Sequence, residues 1–177
     1  MSTTPTVIMV PVETGYRADR VELEAAASAR PSRLFARATL LAAVSLLASL
    51  LVALGVQAFT GGLIRNHSAG LGWMEAVVSL VAAPAVENLI LVFVLEACVA
   101  ARMTDKRVLP LISAIPLSLC HAVFAPAWAV VVYPAFVVYA HAYDRYRRSG
   151  QDRTGYWMSV LVHAMHNGAA LALVAIA

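Results

Sequence analysis

Four polar side chains interrupt the most apolar parts of this 177-residue chain. Glu87 lies within "VAAPAVENLILV", His121 within "LSLCHAVF", and both His163 and Asn167 within "LVHAMHNGAALAL". Placing an ionisable group in hydrocarbon costs roughly 2.5 to 3.5 kcal/mol on insertion scales, so such residues indicate a site. A carboxylate, two imidazoles and an amide are suited to activating a water molecule and to stabilising the oxyanion that its attack produces.

The same residue types fit two mechanisms. Without a metal, Glu87 would act as general base on a water molecule, and a histidine with the Asn167 amide would stabilise the oxyanion. With a metal, the glutamate and two histidines would hold a catalytic ion such as zinc and leave one coordination position open.

Several other intramembrane chemistries are excluded by the sequence. It contains no HExxH zinc motif, no GxSxG serine turn, and no GxGD motif to act with Asp144 of the "YD" pair. Cys120 adjoins His121, but neighbours on a helix point about 100° apart, so a Cys/His nucleophile pair is not expected. Cys98 and Cys120 lack the spacing of a zinc knuckle.

Composition places these residues in a membrane protein. The chain is 61% hydrophobic and 13% charged, whereas soluble domains carry about 25% charged residues. The expected fold class is therefore all-α, a polytopic membrane helix bundle of about five transmembrane helices. About 20 helical residues are needed to cross the hydrocarbon, and the predicted spans, of which the third and fourth are short, are 34–59, 73–101, 108–124, 126–143 and 155–177.

Basic residues predict the orientation of the chain. Twelve of the thirteen Lys and Arg residues lie on one side of the membrane if the N-terminus is cytoplasmic and five spans follow. We expect a flexible cytoplasmic tail over 1–33 and a transmembrane domain over 34–177, with a catalytic-type core at about 73–177. The C-terminus would be extracytoplasmic, in a bacterial cell membrane.

The four polar residues have matching depths in these predicted spans. Glu87 lies 14 residues from either end of the second span, and His121 about 13 residues, or roughly 20 Å, into the third. His163 and Asn167 lie roughly 12 and 18 Å into the last span and share one face, being four residues apart. The sequence therefore predicts that these helices deliver their polar groups to one buried site.

Three further polar residues are assigned other positions. His166 borders the face of His163 without sharing it, and is expected to be a neighbour of the site. Glu96 points to the opposite side of its helix from Glu87, so it would snorkel or pair with Arg102 or a neighbouring arginine. His141 precedes an arginine run and is expected at the interface.

In motif order, the chain resembles the CPBP family of CAAX proteases and bacteriocin-processing membrane proteins, also called Abi proteins. "APAVENLILV", with Glu87, resembles the family's first motif; "LSLCHAVF", with His121, resembles the second; and "HAMHN", with His163 and Asn167, matches the terminal HxxxN. The stretch "YDRYRRSGQDRTGYW" before it is similar to the family's short basic turn leading to a tryptophan. The resemblance covers about residues 80 to 177.

The resemblance implies a membrane-embedded glutamic endopeptidase. Glu87 would be the base, His121 its partner, and His163 with Asn167 the pair that stabilises the oxyanion. On this reading no cofactor is needed, and a divalent metal such as zinc is the lesser alternative.

The chain departs from the family's pattern at three positions. Asn88 stands where the family has a second glutamate, Val92 where it has an arginine, and Leu117 where it has a phenylalanine. Losing a glutamate and an arginine together is charge-neutral, so a buried ion pair could be removed as a unit. The same departures would also fit a homologue without proteolytic activity.

The functional hypothesis is cleavage of a small membrane-associated peptide or protein, such as a leader peptide, a lipidated tail or a bacteriocin-like precursor. The alternative is a non-catalytic membrane protein of the same type, acting as an immunity or assembly factor. A small transporter or proton relay is less favoured because the spans form no repeat pair. The expected surroundings are the lipid bilayer and no nucleic acid, and the sequence does not give an oligomeric state.

Overall fold

A computed structural model describes residues 31–60, 72–123 and 125–176, and every regular element in these ranges is helical. The helices are α1 (Pro31–Thr60), α2 (Trp73–Ala100), α3 (Val108–His121), α4 (Pro126–Arg147) and α5 (Asp152–Ile176). They coincide with the predicted apolar segments to within a few residues at each end. Residues 1–30 of the predicted tail lie outside the described residues, and α1 begins at Pro31.

Helices α1, α2 and α4 are long and apolar enough to cross a membrane. The outward faces of α1 and α2 carry large exposed apolar side chains such as Leu51 and Phe93. Helix α3 has 14 residues, or about 21 Å at 1.5 Å per residue, against about 30 Å of hydrocarbon. These features indicate a membrane protein, and the number of crossings stays a prediction.

Small residues on α1 allow it to approach the other helices closely. Its buried residues are Ala38, Ala42, Ser45 and Ser49, which recur along one face of the helix. Small side chains at such an interface let the helix backbones come together and make more van der Waals contacts. These contacts favour helix association in lipid, where the hydrophobic effect does not act between helices.

Helix α4 lies at the centre of the bundle and contacts each of the other four described helices. Phe136, Tyr139 and Tyr143 are buried on it. Helix α5 runs antiparallel to the N-terminal half of α2 and is hydrogen-bonded to it at two levels, since Tyr156 Oη donates to the Ala85 carbonyl over 3.0 Å and Asn167 donates to the Ser79 carbonyl over 2.8 Å. The bundle therefore holds α2 and α5 in a fixed register.

An ion-pair cluster closes one end of α4. Asp144 is buried, and its carboxylate accepts hydrogen bonds from Arg147 Nη2 over 2.7 Å and from Arg148 Nε over 2.6 Å. Arg148 also donates to the carbonyl of Thr104 over 3.1 Å, which ties down the connection between α2 and α3. These bonds give the "YD" aspartate a structural role.

Glu96 belongs to the same cluster. Its Oε1 accepts a hydrogen bond from the Tyr143 hydroxyl over 2.7 Å and lies 3.8 Å from Arg147 Nε. The prediction that Glu96 pairs with an arginine near the end of its helix is confirmed, with Arg147 rather than Arg102 as the partner. His141 lies on the exposed side of α4.

We expect Gly155→Ala to destabilise the protein, because a Cβ at Gly155 would lie 2.9 Å from the Tyr143 carbonyl oxygen and 3.1 Å from Tyr146 Cβ. Forcing α4 and α5 apart should lower the free energy of unfolding by about 1 to 3 kcal/mol. Gly55→Ala is the matched control, since a Cβ there meets nothing within 4 Å. Thermal unfolding in detergent measures both, and equal stability of the two variants would contradict this packing.

Candidate active site

A cavity of about 230 Å³ lies between α2, α3, α4 and α5 and contains the four polar residues expected to converge. Its lining consists of Ser79, Ala83, Glu87, His121, Val132, Ala135, Phe136, Tyr139, His163, His166 and Asn167. Every residue named as catalytic from the sequence therefore lines one cavity. Their chemical roles stay predictions.

The Glu87 carboxylate faces both histidines. Its Oε1 lies 4.0 Å from His121 Nε2, and its Oε2 lies 3.8 Å from His163 Nε2. These distances exceed the length of a hydrogen bond. A water molecule beside either pair could form hydrogen bonds of about 2.8 Å to both atoms. Catalytic hydrogen bonds are often this long before substrate binds. The arrangement fits a carboxylate and imidazoles that act through a shared water.

His121 ends α3 and is oriented by its own helix. Its Nδ1 lies 2.9 Å from the carbonyl oxygen of Leu117, one turn earlier. A carbonyl oxygen can only accept, so Nδ1 carries a proton, and in the neutral ring Nε2 is left as an acceptor directed toward Glu87. The ring also packs at a tilt on Phe136, with 5.3 Å between ring centroids.

His163 is the most enclosed of the site residues. It stacks on Tyr139, with 4.3 Å between ring centroids and 19° between ring planes, and meets the edge of Phe136. Its Nδ1 lies 2.9 Å from Asn88 Nδ2. The imidazole is therefore fixed on one side by an aromatic ring and at one nitrogen by an amide, while Nε2 faces Glu87.

Asn167 bonds to an irregular turn of α2. Around Val78–Ala82 the helix forms a π-helical turn, and the Ala83 N–H bonds to the carbonyl five residues earlier, at Val78. The next carbonyl, at Ser79, would need an N–H from residue 84, which is a proline and has none. Asn167 Nδ2 donates to the Ser79 carbonyl over 2.8 Å and satisfies it. One N–H of the amide remains for other contacts.

His166 lines the same cavity. Its Nδ1 lies 2.8 Å from the hydroxyl of Ser45 on α1, and its ring meets the edge of Tyr139. The sequence predicted a neighbour of the site, and the structure adds a specific partner on α1. A helix that the sequence did not connect to the site therefore supports one of its walls.

Three supporting residues were missed by the sequence reasoning. Asn88 was noted only as a departure from a family pattern, although a buried amide in an apolar helix indicates a partner. Ser159 lies four residues before His163, a spacing that places both on one helix face, and it donates to Asn88. Tyr139 gave no signal beyond being an aromatic residue in an apolar segment.

Within residues 31–60, 72–123 and 125–176, no three His, Cys, Asp or Glu side chains form a group that could hold a metal ion. Comparison of the chain with protein-family models, with curated protein sequences and with solved structures finds no match. The resemblance to the CPBP family thus stays a prediction that rests on the order and placement of the motifs.

We expect the cost of Asn167→Ala to depend on Pro84. In the natural background the Ser79 carbonyl loses its partner, and the free energy of unfolding should fall by about 1 kcal/mol. In a Pro84→Ala background the new N–H can serve the carbonyls of that turn, so the cost should be much smaller. A double-mutant cycle in detergent measures this coupling, and an equal cost in both backgrounds would contradict it.

Proposed function

We propose that this protein is an intramembrane endopeptidase in which Glu87 activates a water molecule. The observation that carries the proposal is the position of the Glu87 carboxylate, 3.8 to 4.0 Å from the Nε2 atoms of His163 and His121. A partly enclosed carboxylate whose ion pairs within the described ranges are no shorter than 3.8 Å, next to two imidazoles, has the composition of a general-base site.

The proposed reaction gives each of these groups a role. A water molecule beside Glu87 gives a proton to the carboxylate, its oxygen bonds to the carbonyl carbon of the scissile peptide, and His121 Nε2 accepts the second water hydrogen as a hydrogen bond. The negative charge that forms on the carbonyl oxygen accepts hydrogen bonds from His163 and Asn167. The C–N bond then breaks as the amine nitrogen takes the proton from Glu87, which leaves a carboxylic acid terminus and an amine terminus.

The proposed substrate is a small membrane-associated peptide or protein. The cavity of about 230 Å³ has room for a peptide unit and a water molecule, and its walls include small apolar residues such as Ala83 and Ala135. We extend the proposal to a bundle with five crossings and a cytoplasmic N-terminus in a bacterial cell membrane. The arginines of the Asp144 cluster would then face the cytoplasm, in agreement with the positive-inside rule.

We expect Glu87→Gln to abolish cleavage. Cells producing the wild-type chain should contain new peptide termini in their membrane fraction, detectable by quantitative mass spectrometry. Their abundance should fall by about 100-fold or more in Glu87→Gln, because general-base catalysis contributes on the order of that factor.

Glu96→Gln is the matched control for that experiment. Glu96 lies on the same helix, and a glutamine there can still accept the hydrogen bond from Tyr143, so the termini should persist. Identical termini in wild-type and Glu87→Gln cells, at equal amounts of inserted protein, would refute the proposed function.

We also expect cleavage to withstand a membrane-permeant zinc chelator. In the metal-free mechanism Glu87 acts on water directly, so removing divalent ions should leave the rate of appearance of the new termini unchanged. The measurement is a time course with and without chelator. Loss of cleavage that added zinc restores would favour the metal-dependent alternative.

A non-catalytic immunity or assembly factor is the second candidate, and one observation favours it. Two departures from the family's pattern lie on the helix that carries Glu87: Asn88 bonds to His163, and Val92 packs against the apolar core. Such a protein would bind a peptide or a membrane protein without cutting it. Its cellular effect would then survive Glu87→Gln, whereas the effect of a protease would not.

A further inference from the structure

The side chain of Asn88 is fully buried and every polar atom on it has a partner. Its Nδ2 donates to the Pro84 carbonyl over 2.7 Å and lies 2.9 Å from His163 Nδ1. Its Oδ1 accepts a hydrogen bond from the Ser159 hydroxyl over 2.5 Å. The residue that departs from the family's pattern is thus the direct partner of a proposed catalytic histidine.

These contacts determine which way the amide points. The Pro84 carbonyl oxygen can only accept, so the amide atom 2.7 Å from it must be the nitrogen. The second N–H of that nitrogen is directed at His163 Nδ1, which must therefore accept. In a neutral imidazole the proton is then on Nε2.

We infer that Asn88 is a positioning residue that fixes His163 in the tautomer protonated at Nε2, so that this ring acts as a donor in the cavity. The inference rests on the proposed function for its chemical meaning. On this inference Asn88 has a function in the site, although it stands where the family that the chain resembles has a glutamate.

The two histidines that face Glu87 are held in opposite tautomers. His121 donates from Nδ1 to the Leu117 carbonyl, so its Nε2 is an acceptor. His163 accepts at Nδ1 from Asn88, so its Nε2 is a donor. One ring can therefore accept a hydrogen bond from the attacking water while the other donates to the developing oxyanion.

Packing fixes the amide and the ring together. Ser159 is fully buried one turn before His163 on α5, and its hydroxyl holds Asn88 Oδ1. Tyr139 stacks on the other side of the His163 ring. Because these contacts come from three helices, neither the amide nor the imidazole can flip without breaking a buried hydrogen bond.

A carboxylate at position 88 would reverse this arrangement. A carboxylate has no N–H to donate to the Pro84 carbonyl or to His163. It would instead accept a hydrogen bond from His163 Nδ1, which would then have to carry a proton. The ring would then either lose its Nε2 proton or become charged and pair with Glu87. In the first case the cavity loses its donor, and in the second the Nε2 proton is held by Glu87 instead of being directed at the oxyanion.

The test is the proton position on His163, measured by solid-state NMR of ¹⁵N-histidine-labelled full-length protein in bilayers. Assignment comes from comparison with a His163→Gln variant. We expect Nδ1 to be unprotonated and Nε2 protonated in the wild-type protein, and Nδ1 to be protonated in Asn88→Asp. Cleavage by Asn88→Asp should fall by about 100-fold, the effect of losing one oxyanion donor.

Two serine variants separate positioning from a general packing effect. Ser159→Ala removes the hydroxyl that bonds to Asn88 Oδ1 and lies 3.0 Å from the Tyr139 carbonyl, and it should reduce cleavage severalfold. Ser118→Ala removes an equally buried hydroxyl that bonds to Ala114 within its own helix, and it should leave cleavage unchanged.

A protonated Nδ1 in wild-type His163, or an unchanged tautomer in Asn88→Asp, would overturn the inference. The wild-type spectrum decides this even if Asn88→Asp does not fold. The NMR measurement needs no substrate, so it separates the two proposals: unchanged cleavage in Glu87→Gln refutes the protease, and the wrong tautomer refutes the role of Asn88.

Discussion

Proline at position 84 has no backbone N–H to donate, and polar side chains beside the cavity bond to the carbonyls of the turn that it belongs to. The missing N–H leaves the Ser79 carbonyl free for Asn167, while the carbonyl of Pro84 itself accepts from Asn88. In an apolar interior an unpaired backbone carbonyl is costly, so the Asn167 amide is held where the Ser79 carbonyl needs a donor. Two amides from two helices therefore bond to carbonyls of the turn that precedes Glu87.

The need of a polar group for partners also distinguishes the buried Asp144 from the partly enclosed Glu87. Asp144 receives short hydrogen bonds from two arginines, which neutralise it and fix its geometry. Glu87 lies at least 3.8 Å from the histidines that face it and keeps 28% of its side chain accessible. A carboxylate with its lone pairs already occupied stabilises structure, whereas one with lone pairs directed into a cavity is available for proton transfer.

Much of the site followed from the sequence because depth in a membrane can be counted along a helix. Glu87, His121, His163 and Asn167 were expected to converge, and they line one cavity. The partners of these residues could not be predicted in the same way, because a hydrogen bond between helices depends on rotation about each axis and on side-chain rotamers. The Asn88 and His163 contact, the link from Ser45 to His166 and the π-helical turn all depend on such details. The sequence predicted that Glu96 pairs with an arginine, but only the structure identified that arginine as Arg147.

The length of α3 bears on how water would reach the cavity. Its 14 residues end at His121, so this helix alone cannot carry the chain across about 30 Å of hydrocarbon. The last carbonyls of a helix need hydrogen-bond partners, and water supplies them where a thinner bilayer accommodates a short helix. In the proposed reaction one water molecule is consumed for each bond cut, and a helix that stops at a site residue would give solvent a short path to Glu87.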